Sequence, residues 1–321
     1  MKKKTFFNQL IQEKVTVCEF ENRTGTAMNY RSLLHYIEQR FGLVEVKNVN
    51  PHFAAEMKAQ MVSEKKSPST IVNYFNMLGA IYNYAVYKRL AKPEDFPFQR
   101  KPYELDKVKK PKPNKRTECY LTKKQMQTLY DYWLTMPTDK SYWLNRKKYL
   151  GMFLISYLCN GANIADIHRL TYNHEYFNND GKILSFVREK VKNRSAAVVR
   201  IPVIPQLRVL LDYFAQEPKN NGLVFDFAAD VIDTEIALRR RICYDNTRIR
   251  DMFVQIGNDV IGRDDITVTY ARHSYSSVLH HTGCNFAIVE QNLGHQLQGV
   301  AGNYIGQQTI DELFKVNANL L

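Results

Sequence analysis

The sequence contains few cysteines and no long apolar run, and each absence argues against a class of protein. Its 321 residues include five cysteines, which are scattered along the chain without a Cys-x-x-Cys pair. An odd, dispersed set argues against a disulfide framework and fits a reducing compartment. No run of about 18 apolar residues occurs, so we expect no membrane-spanning helix. The basic start Met-Lys-Lys-Lys-Thr is soon followed by polar residues, so we expect no signal peptide.

Acidic residues are also under-represented. The chain carries 45 Lys and Arg against 32 Asp and Glu, which gives a net charge of +13. A protein this basic favours polyanionic partners, with nucleic acid as the first candidate, although charge alone also fits a merely soluble basic protein. The length is sufficient for about two domains.

Helical spacing of apolar residues dominates the first hundred residues. Residues 6–11, 29–41 and 53–62 each carry one apolar face, which is typical of amphipathic helices. The clearest helix follows Ser67 and Pro68, an N-cap residue with proline at the first helical position. No strand pattern of comparable strength occurs here, so we predict a small helical domain of about four helices.

A basic, proline-spaced linker follows. It holds eight basic residues against two acidic ones, and its three prolines break and stiffen the chain. The linker could track along a DNA duplex through Lys109, Lys110 and Lys112, or it could be a solvated hinge. The predicted boundaries are 1–99 for the first domain, 100–116 for the linker and 117–321 for the second domain.

The second domain combines helices with one predicted hairpin, so the predicted fold class is mainly α with a small β-sheet. Thr122 and Gln125 have the spacing of an N-cap residue and its N3 partner. Two β-rich runs flank a polar turn, which predicts the hairpin. The strands are expected at 183–187 and 197–203, and helices at 149–159, 205–215, 232–256 and 309–321. Apolar residues of the last helix predict that it packs on a neighbouring subunit.

The stretch from Thr267 to Tyr304 carries the residues that point to chemistry. Arg272 stands at a predicted helix start, His295 follows a Leu-Gly turn, and Tyr304 lies nine residues beyond His295. An arginine fork grips a phosphodiester at two points. Histidine donates a hydrogen bond or a proton, and tyrosine can be a covalent nucleophile.

In order and spacing these residues resemble the tyrosine recombinase (phage integrase) family, whose pattern is Ala-Arg-His-Ser/Thr, Leu-Gly-His and a tyrosine nine residues on. The run from Ser69 to Leu78 is similar to the last helix of that family's core-binding, SAM-like domain. The second domain would be the α+β catalytic domain. The resemblance implies a site-specific DNA recombinase of the integrase, excisionase or invertase type, working through a 3′-phosphotyrosine intermediate in the bacterial cytoplasm, at the nucleoid.

The resemblance also implies partners and residue roles. Double-stranded DNA would be the partner, with a homotetramer on DNA, a weak oligomer or monomer off DNA, and no metal, cofactor or membrane. Tyr304 would attack the phosphodiester, and Arg272 and His295 would hold it. Lys190 on the hairpin, or alternatively Lys192, would protonate the leaving 5′ oxygen. Phosphate contacts, or else an ordinary solvated helix face, are expected at Ser69, Thr70 and Asn73.

Two positions depart from the family pattern. Asn163 replaces the first catalytic arginine, three residues before Asp166, a spacing that is also typical of a capped helix start. Thr269 replaces a histidine and cannot act as a base, so the acceptor of the Tyr304 proton is open. Because residues i and i+2 of a strand share a face, we hypothesise that Arg188 follows Lys190 into the site and replaces the arginine. The alternative is a surface arginine paired with an acidic neighbour.

These departures leave two other functions open. The chain could be a DNA-binding protein of the same fold that has lost catalysis, or it could relax DNA like a type IB topoisomerase. His273, His280 and Cys284 lie roughly along one helical face, which is an arrangement that a metal site on a helix would use. Gly283 is expected to end that helix and no carboxylate completes a ligand set, so we interpret these residues as core or supporting residues.

Overall fold

The computed structural model describes residues 5–98, 119–189, 197–230, 234–295 and 306–321. The chain divides into two compact units between Arg116 and Thr117. The described residues are mostly helical, with one two-stranded sheet, so the predicted fold class is confirmed. No described helix is long and apolar enough to cross a membrane. Several predicted functional residues lie outside the described residues: Lys109, Lys110, Lys112, Lys190, Lys192 and Tyr304.

The first unit is a cluster of four helices around its own apolar core. Helix α1 packs on α2 and α4, and fully buried side chains such as Phe7, Leu33 and Met57 fill the interior. The four predicted helices are all present, although the first two extend further than their most apolar segments. Their bounds are α1, Phe7–Phe20; α2, Thr24–Phe41; α3, Pro51–Ser63; and α4, Pro68–Tyr87.

The start of α4 follows the predicted capping chemistry. The Ser67 hydroxyl accepts the backbone N–H of Thr70 at 3.1 Å, and Pro68 occupies the first turn. The Thr70 hydroxyl lies 2.8 Å from the Ser67 hydroxyl, so it takes part in the cap. Ser69 and Asn73 are exposed one helical turn apart. Two of the three predicted phosphate-contacting side chains are therefore available on one surface.

The second unit is built around α6, whose side chains from Leu150 to Leu158 are buried almost without exception. This helix begins earlier than the apolar run suggests, and α5, α9, α10 and α11 pack around it. The helices of the unit are α5, Lys123–Thr135; α6, Ser141–Leu158; α7, Ile164–Ile167; α8, His174–Asn178; α9, Pro205–Phe214; α10, Glu235–Ile261; α11, Thr269–His281; α12, Phe286–Asn292; and α13, Ile310–Asn317.

The predicted hairpin strands are present and antiparallel. Strand β1, Ile183–Val187, pairs with β2, Val198–Pro202, with Ile183 opposite Pro202 and Val187 opposite Val198. Arg188 directly follows β1 and is buried. The sheet therefore delivers an arginine to the protein interior at the end of its first strand.

A buried polar network ties α7 to α10. His168, just after α7, lies 2.9 Å from the Asp245 carboxylate, and both side chains are almost completely buried. Arg241 donates to the same carboxylate at 3.1 Å. Because a buried carboxylate is costly without partners, this network fixes α7 and the residues before it against the long helix.

Helix α13 forms within the predicted segment and packs partly on its own unit. Its N-cap Thr309 and Glu312 form a capping box. Leu313 and Leu320 are buried in the core of their own chain, and the Tyr157 hydroxyl donates to the Leu320 carbonyl at 2.7 Å. Leu313 is therefore buried within its own unit, whereas Phe314 and Val316 are only partly buried, and their packing on a neighbouring subunit stays a prediction.

Candidate active site

Arg272 joins three segments of the second unit at one point. From the first turn of α11 its guanidinium donates to the carbonyl of Gly161 at 2.9 Å and to that of Leu293 at 2.6 Å. Gly161 has φ +63°, and an added Cβ there would lie 2.9 Å from the Arg272 Cα. Glycine is therefore required by both backbone conformation and space. The predicted helix-start arginine is held in place by the turn that precedes Asn163.

His295 lies beside Arg272 and is oriented by two neighbours. Its Nε2 is 3.0 Å from the Arg272 Nη2, and its Nδ1 is 2.8 Å from a Glu290 carboxylate oxygen. A guanidinium has only donors, so Nε2 accepts this bond, and Nδ1 carries the hydrogen that Glu290 accepts. The histidine side chain remains 40% exposed. The ring is therefore fixed in one tautomer and is still accessible.

Arg188 approaches the same place from the end of β1. Its stem passes so close to Gly294 that an added Cβ there would lie 2.8 Å from the Arg188 Cδ. Its Nη1 makes a long contact of 3.4 Å with the Gly294 carbonyl, and its buried Nε has no hydrogen-bond partner among the described residues. No described carboxylate forms an ion pair with it. Arg188 is therefore a buried residue and not the surface residue of the alternative interpretation.

The positive charges of both Arg188 and Arg272 act on the Asp166 carboxylate. One oxygen accepts the backbone N–H of Glu189 at 3.0 Å, and the other faces the Asn163 amide at 3.4 Å. Burial raises the pKa of Asp166, while the Glu189 N–H and the charges of Arg188 and Arg272 act in the opposite direction. The carboxylate is thus held by the backbone while it faces two cations.

The positive charge of Arg188 also acts on Arg272. Burial, followed by the positive charge of Arg188, lowers the pKa of Arg272 to about 10, and the carboxylates of Asp166 and Glu290 oppose this shift. Arg272 therefore remains charged at neutral pH. A pair of like charges that is partly desolvated is well suited to an anion with several oxygen atoms, because the anion relieves their repulsion.

The two departed family positions are occupied by residues with local roles. Asn163 is the N-cap residue of α7, but its side chain makes no capping hydrogen bond and instead faces Asp166. Thr269 is exposed, with its hydroxyl 3.0 Å from that of Thr267. The neighbouring Tyr270 donates its phenol to Asp265 at 3.0 Å. Neither position supplies a base or a cation.

The histidines of α11 are not core residues, which corrects that part of the interpretation. His273, His280 and His281 are exposed, and the His281 Nε2 lies 3.1 Å from the Tyr120 hydroxyl. Cys284 is half-buried. Within the described part of the chain no group of three His, Cys, Asp or Glu residues could hold a metal ion.

The chain that follows Tyr304 is attached to α12 and to the sheet. The Gln308 amide donates to Asn292 at 2.9 Å, and the Gln291 amide donates to the Gly306 carbonyl at 3.3 Å. Arg200 on β2 donates to the Gln308 carbonyl at 3.0 Å. The residues two to four positions beyond the tyrosine are thus bound to elements of their own unit.

The structure therefore brings together Arg272, His295 and Arg188, which sequence reasoning had selected. It adds Glu290, which that reasoning missed. Glu290 lies five residues before His295. Its contact with the His295 ring depends on the turn after α12, in which the His295 backbone N–H donates to the Glu290 carbonyl at 2.9 Å. The only feature of the sequence that could have indicated this role of Glu290 is its position one helical turn before the Leu-Gly-His turn.

Comparison with known proteins identifies the amino-terminal domain and the fold. Residues 6–102 match the phage integrase SAM-like domain. A comparison with curated protein sequences gives no match.

Solved structures align along nearly the whole chain. The Tn1549 transposon integrase in complex with a circular intermediate DNA aligns with a TM-score of 0.64 at 16% identity, covering 97% of this chain and 98% of that one. The same integrase with transposon right-end DNA gives 0.61 at 17% identity, covering 96% and 97%. A lambda integrase dimer bound to a core site gives 0.57 at 12% identity, covering 95% and 99%.

These alignments show that the chain shares the fold of the aligned integrases over nearly its whole length. Its amino-terminal part matches the phage integrase SAM-like domain, so the predicted resemblance is confirmed for that domain and for the fold.

Proposed function

We propose that this protein is a site-specific DNA recombinase that cuts and rejoins DNA through a 3′-phosphotyrosine intermediate. The observation that carries the proposal is the pair Arg188 and Arg272, which lie close together, partly desolvated and without an ion pair among the described residues. An unsatisfied buried donor costs about 1–3 kcal/mol, which is compatible with a site that awaits an anionic ligand. The aligned integrases were solved in complex with DNA.

The two arginines would hold the scissile phosphate. Each guanidinium can donate two parallel hydrogen bonds to phosphate oxygens, and a preorganised fork stabilises the charge that develops in the pentavalent transition state. Asn163 has a neutral amide and cannot supply this charge. Arg188 would therefore take the place of the missing family arginine, reaching the site from the sheet instead of from the α6–α7 turn.

The reaction would proceed in two transesterification steps. The Tyr304 oxygen attacks phosphorus while the bond to the 5′ oxygen breaks, and Lys190, or alternatively Lys192, supplies a proton to that oxygen. The 5′-hydroxyl of another strand then attacks the phosphotyrosine bond and releases Tyr304. Because the covalent bond conserves the energy of the phosphodiester, the reaction requires no nucleotide hydrolysis.

Partner DNA would be double-stranded, and strand exchange would involve four like subunits on two duplexes. Ser69 and Asn73 on the exposed face of α4 would contact phosphates, together with Lys109, Lys110 and Lys112 of the linker. The runner-up functions are DNA binding without catalysis and DNA relaxation without strand exchange. A protein that only bound DNA would have no need of two desolvated arginines beside a histidine.

The test is capture of the covalent intermediate. A binding site is first selected from a random DNA pool, and a nicked duplex carrying that site is then incubated with the protein. We expect a protein–DNA adduct on a denaturing gel, and none with Tyr304→Phe, which should still bind. A normal adduct yield from that variant would overturn the assignment of Tyr304. No adduct from the parent protein on bound DNA would favour the non-catalytic alternative.

A further inference from the structure

The proposed function leaves the Tyr304 proton without an acceptor. A tyrosine phenol has an unperturbed pKa of about 10, so at neutral pH a base must take its proton as it attacks. Thr269, at the family's histidine position, is exposed and bonded to Thr267. The Tyr270 phenol beside it is bonded to Asp265. Neither residue can act as a base toward the site.

His295 has the arrangement that a general base requires. The Nδ1–H donates to Glu290 at 2.8 Å, which leaves the Nε2 lone pair directed toward Arg272 at 3.0 Å. Because Arg272 can only donate, its presence selects the tautomer with an unprotonated Nε2. A histidine held by a carboxylate at one nitrogen and free to take a proton at the other is the arrangement used by serine hydrolases to activate a hydroxyl.

We propose that His295 accepts the Tyr304 proton during strand cleavage and that Glu290 is its positioning residue. This proposal rests on the proposed recombinase function. Glu290 would hold the imidazole in the accepting tautomer and would stabilise the imidazolium that forms. It would do so without touching the DNA, since its carboxylate is only 22% exposed and faces the Nδ1 side of the ring.

The proton balance of the step is complete within the residues named. As the bond between the Tyr304 oxygen and phosphorus forms, the phenolic proton passes to the His295 Nε2. The bond from phosphorus to the 5′ oxygen breaks, and that oxygen takes a proton from Lys190. On rejoining, Lys190 accepts the proton of the incoming 5′-hydroxyl, and His295 returns a proton to the departing tyrosine oxygen.

Entry of the scissile phosphate would free the histidine for this task. Arg272 now shares its Nη2 between the Leu293 carbonyl and His295. A phosphate oxygen is a stronger acceptor for a guanidinium than a neutral imidazole is, so the Arg272 donor would turn to the phosphate. The Nε2 lone pair would then be available beside the reacting atoms.

Other charged groups of the site are less suitable as bases. Asp166 is buried and already accepts the Glu189 N–H, and it faces Arg188 and Arg272. The exposed His273 has no hydrogen bond to the arginines among the described residues. Among the described residues, the charged groups that face His295 are Glu290 from α12 and Arg272 from α11, and of these two Glu290 alone can accept a hydrogen bond from the ring.

The first experiment measures the single-turnover rate of adduct formation. We expect His295→Ala to slow it by about 10²-fold or more, the range of a lost general base. Glu290→Ala should slow it about tenfold, and Glu290→Gln less, because the amide oxygen can still accept from Nδ1. DNA affinity should be unchanged in the Glu290 variants. Glu217→Gln, an exposed carboxylate on the loop after α9, is the matched control.

The second experiment separates a base from an acid or a phosphate ligand. Replacing Tyr304 with 3,5-difluorotyrosine makes the nucleophile a stronger acid, so the rate defects of His295→Ala and Glu290→Ala should shrink. A substrate with sulfur at the 5′ bridging position has a leaving group that needs no proton. It should restore the rate of Lys190→Ala and leave the defect of His295→Ala unchanged.

The outcomes distinguish this proposal from the function on which it rests. If the sulfur substrate rescues His295→Ala, or if the defects persist undiminished with difluorotyrosine, His295 is not the base and the proposal is overturned. Long-range ¹H–¹⁵N NMR of the histidines should also show that Glu290→Ala, but not Glu217→Gln, shifts His295 away from the Nδ1–H tautomer. Absence of any adduct from the parent protein would instead overturn the recombinase function.

Discussion

Arg188 is the buried side chain that we propose takes the place of the missing family arginine, although it comes from a different element. Asn163 stands at the position before α7 where the family pattern has an arginine. Its side-chain amide faces Asp166. The positive charge of Arg188, at the end of β1, acts to lower the pKa of both Asp166 and Arg272. A second positive charge thus acts on Arg272 and Asp166, and it comes from a different segment than the family pattern implies.

A kinetic test follows at the residue scale. Arg188→Ala should slow strand cleavage about 10²–10³-fold, the usual cost of removing one preorganised donor to a developing charge. DNA binding should weaken far less, because many other phosphates are contacted. Arg188→Lys should retain part of the rate through its charge, and Asn163→Arg in the Arg188→Ala background should restore part of it. Cleavage at the parental rate by Arg188→Ala would mean that Arg272 acts alone.

Gly294 is a second residue-scale constraint. It has φ +66°, and an added Cβ would lie 2.6 Å from Val199 Cγ2 and 2.8 Å from Arg188 Cδ. We expect Gly294→Ala to impair cleavage strongly, because it displaces Arg188 and the adjacent His295 together. Gly283 also has a positive φ, but no atom lies within 4 Å of a Cβ added there. The control variant Gly283→Ala therefore introduces backbone strain without a steric clash. Equal cleavage defects in the two variants would attribute the effect to strain.

At the scale of elements, the contact between α7 and α10 depends on a buried charge network. Asp245→Ala would leave His168 and Arg241 without their shared carboxylate. We expect a loss of about 3–5 kcal/mol in the free energy of unfolding, measured by urea denaturation. Asp251→Ala on the same helix removes a largely exposed pair with Arg250 and should cost less than about 1 kcal/mol. Similar losses for both variants would contradict the structural role of the network.

Helix α13 provides a second test at this scale, because its side chains pack on their own chain. Leu313 is only 2% exposed, so Leu313→Ala should lower the free energy of unfolding of the single subunit by about 2–5 kcal/mol. The exposed Lys315→Ala on the same helix should change it by less than about 0.5 kcal/mol. An unchanged subunit stability in Leu313→Ala, with reduced assembly on DNA, would instead support packing of Leu313 on a neighbouring subunit.

At the scale of the whole molecule, the excess of positive charge should govern DNA affinity. Each phosphate neutralised contributes about 0.9 to the slope of log K against log salt concentration. Replacing Lys109, Lys110 and Lys112 with alanine should therefore reduce the slope by at most about 2.7, and should weaken binding to all sequences alike. Fluorescence anisotropy over a range of salt concentrations measures this. An altered site preference at constant slope would mean that the linker reads bases.

Local patterns in the sequence determined much of this protein. Capping residues such as Ser67 and Thr122 act over three residues, and apolar periodicity acts within one helix, so most of the longer helices and the two strands could be predicted. The short helices α8 and α12 were not predicted. The spacing of Arg272, His295 and Tyr304 likewise indicated the family, because a single short stretch carries all three.

Only the tertiary structure decided which side chains meet. Arg188 and Gly294 are 106 residues apart in sequence, and their contact depends on how β1 packs near the end of α12. The burial of Leu313 within its own chain depends on long-range packing in the same way. So does the tautomer of His295, which Glu290 and Arg272 select together. Hydrogen bonds within a turn are encoded by neighbouring residues, whereas burial and charge pairing depend on surfaces that the complete fold brings together.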